Sequence, residues 1–394
     1  MIRRLAVVAA LAVAVCGPVA AQPAEDVRVE ALVGLARTLR DAGRTGEAAA
    51  AFRDARQARP ADAALRQEAF WVEIEAAPAE GLALARVILA DDPTRHAVRE
   101  RAIAAAASLG DNALAGRLAQ DGARVAPQDP RWPRHEGEAA LRRGDAVSAA
   151  TAFERAHALG GDHHDLAMYA LALEAAGRAP AAWRAWSTVP AALIEGRPDW
   201  RDSRLRAAIA AAPLGVAEQA VRARCAESAA APAAQPPCPM GGPDGPTTDS
   251  WWRLLANRAA AEGDPRRALA ALDPLLAGPT RHLVLRRASD LAAEAGDLPT
   301  AIRHVRALVL SGQAHPDDRV RLVELVARQG DGAAVLEAAT QAGLTPCDAR
   351  VMTALSAADD ATPLVTAALT RAPACDDWLG WRVRAAHAAL ARQD

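Results

Sequence analysis

Helix-breaking glycines recur along the chain at Gly43, Gly110, Gly144 and Gly177, and again at Gly263, Gly296 and Gly330. The steps between them are 67, 34 and 33, then 86, then 33 and 34. Most are multiples of about 34, and the step of 86 marks an interruption. An apolar-periodic stretch of about 13 residues precedes each glycine and a second follows it. Five residues past the glycine stands Ala48, Ala115, Ala149, Ala182, Ala268 or Ala301. Nine residues past it, in five copies, stands a larger apolar residue: Phe52, Phe153, Trp186, Leu272 or Val305. Prolines close some units, at Pro60, Pro93 and Pro127.

This repeat narrows the possible folds sharply. Two helices of 12 to 14 residues are each marginal alone. Glycine supplies the left-handed turn between them. The small residue lets the paired helices approach, and the bulky one fills the gap above it. A single hairpin leaves part of its apolar face uncovered, so each must stack on the next.

Composition agrees. The 394 residues are 51% hydrophobic yet only 3% aromatic, and alanine makes up the difference. So few aromatic and β-branched residues argue against a β-sandwich or barrel. All 46 basic side chains are arginine, a coding bias rather than a functional signal. Against 48 acidic residues they leave a net charge of −2, which indicates neither a nucleic-acid binder nor a disordered acidic tail.

The pattern resembles the tetratricopeptide repeat family. In the unit from about Val29 to Asp62, nine residues stand where that family places Trp, Leu, Gly, Tyr, Gly, Ala, Phe, Ala and Pro. They are Leu32, Leu35, Ala36, Leu39, Gly43, Ala48, Phe52, Ala55 and Pro60. A second unit, around Trp252, Leu255, Ala256, Ala259, Gly263 and Ala268, restores the family's tryptophan. The unit ending at Pro93 has Ala76-Ala77-Pro78 in place of the central glycine. The resemblance covers about 300 residues and implies an all-α, right-handed solenoid of about eight to nine hairpins in two blocks. The blocks are residues 22–190 and 249–394. Residues 191–248 interrupt them, with helices over 199–212 and 214–226 and then an Ala/Pro/Gly-rich loop over 229–248. An amphipathic helix over 376–392, with Trp378 and Trp381, is expected to cap the C-terminal end. Trp186 and Trp252 occupy family packing positions and are expected in the core, while Trp71, Trp200 and Trp251 are unassigned.

The amino terminus reads as an export signal over residues 1–21. A basic start at Arg3-Arg4 precedes an apolar run from Leu5 to Cys16, and Ala20-Ala21 offers a cleavage site before Gln22. Twelve residues span about 18 Å as a helix, too short for a ~30 Å bilayer core. No later stretch is long and apolar enough to span, so the expected location is the periplasm of a bacterium. A lipidated Cys16 is the rival reading, although Val15 departs from the small residue such signals place before the cysteine. Four cysteines follow the leader, Cys225, Cys238, Cys347 and Cys375, and an even count in an exported chain favours disulfides. Three pairings are open, with Cys225–Cys238 and Cys347–Cys375 the local one.

The chain carries no zincin, nucleophile-elbow, phosphate-loop or dinucleotide fingerprint. His163 and His164, with His157, Asp162 and Asp165, offer imidazoles and carboxylates for a metal-dependent enzyme. The competing reading makes Asp162 the cap of a helix starting near His163. No enzyme activity and no cofactor is expected.

In the resembled family the first helix of each unit lines a groove. The groove positions fall on Arg66, Arg101, Arg134, Arg253, Arg286, Arg287 and Arg321, and Asn257 joins Arg253 and Arg321 at carboxylate-clamp positions. Arg287 and Asp317 depart from that clamp. The arginines form either a cationic stripe or a line neutralised by Glu100, Glu138, Asp290 and Glu324. The resemblance implies a protein–protein scaffold in envelope assembly or polysaccharide export, with an envelope or secretion protein in the groove. Binding of an anionic polymer or glycan is the alternative.

Overall fold

In the computed structural model the described residues are 22–229, 251–277, 281–330 and 332–345, together with Asp348, Val351, Thr353 and Ala354. The leader, most of the Ala/Pro/Gly-rich loop, the C-terminal capping helix, Cys238, Cys347 and Cys375 lie outside them. Among the described residues there are nineteen α-helices, one short 3-10 turn and no strand. No described helix is long and apolar enough to cross a membrane.

Two compact units divide between Ala207 and Ala208. The first contains α1 (Gln22–Asp41), α2 (Thr45–Ala58), α3 (Ala63–Ala76), α4 (Pro78–Asp91), α5 (His96–Ser108) and α6 (Asn112–Val125). It continues with α7 (Arg131–Arg142), α8 (Ala146–Ala158), α9 (His163–Ala175), α10 (Ala179–Thr188), α11 (Ala191–Glu195) and most of α12 (Pro198–Ala211). The second unit contains α13 (Leu214–Ala229), α14 (Trp251–Ala261), α15 (Pro265–Leu276), α16 (Leu285–Glu294), α17 (Leu298–Leu310), α18 (Pro316–Ala327) and α19 (Gly332–Gln341). From α1 to α10, and from α13 to α19, each helix packs on the next.

The seven periodic glycines all have φ between +72° and +85° and all join a first helix to a second. Gly144 shows the chemistry. Its N–H donates to the Leu141 carbonyl and the Asp145 N–H donates to the Ala140 carbonyl, a double closure that ends α7. Asp145 then caps α8, its carboxylate accepting the Ser148 N–H at 3.0 Å. The Gly-Asp pair recurs as Gly110-Asp111, Gly263-Asp264 and Gly296-Asp297, each Asp again capping the following helix. One dipeptide therefore stops one helix and starts the next. In the unit without a central glycine, Ala77 turns the chain at φ −145° and ψ 79°, and Pro78 opens α4.

The alanines at the fifth position are completely buried, as are Phe52, Phe153 and Trp186 at the ninth; Leu272 and Val305 are 1% exposed. The core is thus a row of alanine notches, each filled by a large side chain. Replacing Ala149 with leucine overpacks one notch and is expected to cost about 1–3 kcal/mol, read as a lower urea midpoint at unchanged slope. Three further notches are made by glycine. A Cβ on Gly81 would lie 2.4 Å from the Ile74 Cα, one on Gly122 2.4 Å from the Trp132 indole, and one on Gly137 2.8 Å from the Phe153 ring.

Trp186 and Trp252 are buried, as the repeat positions imply. Trp200 and Trp251 are buried as well, Trp200 with its ring 6.0 Å from that of Trp186. Trp71 is 40% exposed and meets Phe70 edge-on.

Candidate functional site

Arg66, Arg101 and Arg134 sit on α3, α5 and α7, the first helices of three successive hairpins. Arg253 and Asn257 sit on α14, Arg286 and Arg287 on α16, and Arg321 on α18, also first helices. The repeat therefore places the arginines on equivalent helices within each unit, and each is engaged. Arg66 donates to Asp91 at 2.9 Å and Arg101 to Glu75 at 2.8 Å. Arg134 grips Asp165 with two hydrogen bonds of 2.6 and 2.7 Å, and Arg286 grips Asp318 with two of 2.6 Å. Arg287 lies 3.8 Å from Glu294 and Arg321 lies 3.7 Å from Asp290. Arg253 is also engaged, and Asn257 is exposed. Of the carboxylates named as neutralisers, Glu100 pairs with Arg131, Glu138 with Arg142 and His135, and Asp290 with Arg321.

Many of these pairs repeat with the period of the fold. Arg37–Glu68, Arg131–Glu100, Arg134–Asp165 and Arg286–Asp318 each join successive first helices at a separation of 31 or 32 residues, and Arg206–Glu174 joins α12 to the first helix α9 at 32. These are staples between hairpins, and bidentate guanidinium geometry suits them. The carboxylate partners Asp165 and Asp318 were not recognisable as such from the sequence. The signal that marks them is an acid about one repeat away from an arginine on the same kind of helix.

In the second unit the staples border a cleft of about 410 Å3, lined by His282, Leu283, Arg286, Arg287, Asp290, Leu308 and Gln313. Burial raises the Asp290 carboxyl pKa above its ordinary value, against the opposing pull of Arg321 and Arg287. Asp318 goes the other way. Burial alone would raise it, but hydrogen bonds from Arg286 and from the His315 N–H outweigh burial and hold it below the ordinary carboxylate range. His315 in turn caps α18. Because the folded-state pKa is depressed, the stability this group contributes is present above the unfolded carboxylate value of about 4. It is lost as pH falls through the folded pKa. Thermal melting of the natural chain and of Asp318→Asn is expected to differ clearly at pH 6 and to converge only once pH falls below the depressed folded-state value of Asp318.

The histidine-rich turn resolves by helix capping. Asp162 accepts the Asp165 N–H at 3.1 Å and caps α9. Both oxygens of Asp165 are taken by Arg134, and the His164 ring lies 5.4 Å from that of Trp200. Among the described residues no cluster of His, Cys, Asp and Glu is arranged to hold a metal ion. Cys225, in α13, is disulfide-bonded, and its partner lies outside the described residues.

No family model matches the chain, and no curated protein does. Among solved structures it is similar to MamA, residues 41 to the end, from Desulfovibrio magneticus, at 13% identity and a TM-score of 0.36. That match covers 44% of this chain and 97% of the other. A tetratricopeptide repeat protein from Parabacteroides merdae matches at 13% identity and a TM-score of 0.38, covering 68% and 99%. PilF from Pseudomonas aeruginosa matches at 17% identity and a TM-score of 0.35, covering 53% and 95%. The fold assignment rests on the chain's own periodic turns, alanine notches and inter-hairpin staples, which make its described part an all-α array of tetratricopeptide-like helical hairpins.

Proposed function

We propose that this protein is a non-catalytic scaffold that holds a segment of another protein along the first helices of its hairpins. The second-unit cleft carries the proposal: Arg286, Arg287 and Asp290 line it, Arg321 lies 3.7 Å from Asp290, and each of these arginines already has a carboxylate neighbour. Such matched, partly exposed pairs exchange readily with the charged side chains of a polypeptide. A polyanion gains less from cations that are already compensated, which favours a protein partner over a glycan or anionic polymer. The leader pattern of residues 1–21 supports work in the bacterial periplasm, and envelope assembly or polysaccharide export is the setting that reading implies. The paired cysteines, with Cys225–Cys238 as the local bridge, belong to the same proposal.

A photocrosslinker tests it when placed at Arg287 in the cleft and, as control, at Arg303, exposed on the second helix α17. One defined protein adduct at position 287, absent at 303 and lost on Arg286→Glu, is the expected result in intact cells. Equal adducts at both positions, or retention of a polyuronate in place of a protein, overturns the reading.

A further inference from the structure

In the first unit, α4 and α6 are the second helices of neighbouring hairpins, and a cleft of about 450 Å3 opens beside them. That volume is in the range of small-molecule sites. Leu82, Leu89, Leu114 and Leu118 supply apolar wall, and the residue beneath them is charged: Arg99, from α5, is only 3% exposed.

Buried guanidinium groups are normally paired with carboxylates. Arg99 is not, among the described residues. One of its amino groups donates to the Pro93 carbonyl at 2.6 Å, and its buried Nε has no hydrogen-bond partner. Its Cζ lies 5.9 Å from the Trp132 ring centroid, a contact that compensates part of the charge. Asp121, which also lines the cleft, is hydrogen-bonded to Arg124 instead. Burial accordingly pushes the Arg99 pKa down, against a smaller pull from Asp121. With Arg86 and Arg124 also on the lining, three cations face one carboxylate across leucine walls.

We propose that this cleft binds a free aliphatic carboxylate of the fatty-acid class, its carboxylate on Arg99 and its tail against the leucines of α4 and α6. The excess of cations calls for an anion. The leucines call for a partner without further polar groups, since a peptide end would bring backbone N–H and C=O groups that such walls leave unpaired. The site lies among residues other than the proposed partner-binding arginines and stands or falls separately from them.

Calorimetric titration of the full chain with hexanoate, octanoate and 1-octanol tests the assignment. One site per chain is expected, with affinity rising about fourfold for each added methylene. Octanol, with the same tail and no charge, is expected to bind about tenfold more weakly or worse. Arg99→Met removes the charge at similar length and is expected to lose binding by a similar factor. Ala90→Trp fills the cleft from an exposed position on its lining, so it tests the site even if Arg99→Met does not fold. Absence of saturable octanoate binding in the natural chain overturns the proposal. So does octanol binding as well as octanoate, unchanged affinity in either variant, or tighter binding of an acetylated tetrapeptide ending in leucine.

Discussion

Replacing Trp132 with alanine is expected to destabilise the first unit by about 3–5 kcal/mol, the range for emptying a buried aromatic site. Trp132 is completely buried in α7, among Ile103, Ala106, Ala115, Ala119 and Ala139. The buried apolar neighbours are mostly alanines, too short to swing into the space, and the polar rings and guanidinium groups beside the indole, His96 at 5.3 Å and Arg99 at 5.9 Å, are poor fillers for an apolar cavity. The seat of the indole is Gly122 of α6, where a Cβ would lie 2.4 Å from the ring. That contact reverses the sign of a second substitution. In the natural chain Gly122→Ala forces tryptophan and helix apart and is expected to cost about 1–3 kcal/mol. In the Trp132→Ala chain the clash is gone. There the same change is expected to stabilise by up to about 1 kcal/mol, because alanine is the better helix former. Urea unfolding of the four chains measures the cycle. If Gly122→Ala has the same sign in both backgrounds, the close approach of α6 and α7 is not what the glycine serves.

The second large effect belongs to the staples. Asp165 has a completely buried side chain, Arg134 is 27% exposed, and two hydrogen bonds join them. Removing the arginine strands a buried carboxylate, which costs about 3–5 kcal/mol for fully buried pairs; the partial exposure of Arg134 places this one near 3. Arg134→Met is therefore expected to lower stability by about 3 kcal/mol, with faster hydrogen exchange concentrated in α7 and α9. The double variant Arg134→Met with Asp165→Ala leaves no charge to bury. It is expected to be more stable than Arg134→Met alone, although it lacks both partners. A double variant weaker than the single one would show that the pair stabilises through packing rather than through charge.

Much of this is legible in the amino-acid sequence. The glycine period placed every first-to-second turn that it named, because φ near +75° is a conformation other residues resist. The alanine and bulky positions appeared in the core because a stacked hairpin admits only a small residue opposite a large one. Helices over 199–212 and 214–226 were expected and lie at Pro198–Ala211 and Leu214–Ala229. The Gly-Asp pairs stand in the sequence as well, but the capping by their aspartates shows only in the folded turns. The arginines expected in a groove were legible as a line of equivalent positions but not in their bonding, since an arginine's partner is chosen by which helix lies beside it. Arg99 gave no sign at all, because its place beneath a cleft depends on three helices meeting.

What the chain determines by itself is local and periodic: where helices stop, which small and large residues alternate, and that a repeat of about 34 residues must bury its faces against its neighbours. Those choices depend on backbone sterics and side-chain volume, which each residue carries wherever it stands. What the tertiary structure alone decided is the pairing of charges. Asp165 went to Arg134, Asp318 went to Arg286, and Arg99 received no carboxylate among the described residues. Electrostatic partners are set by distance and by exclusion of water, and both exist only once the hairpins have stacked.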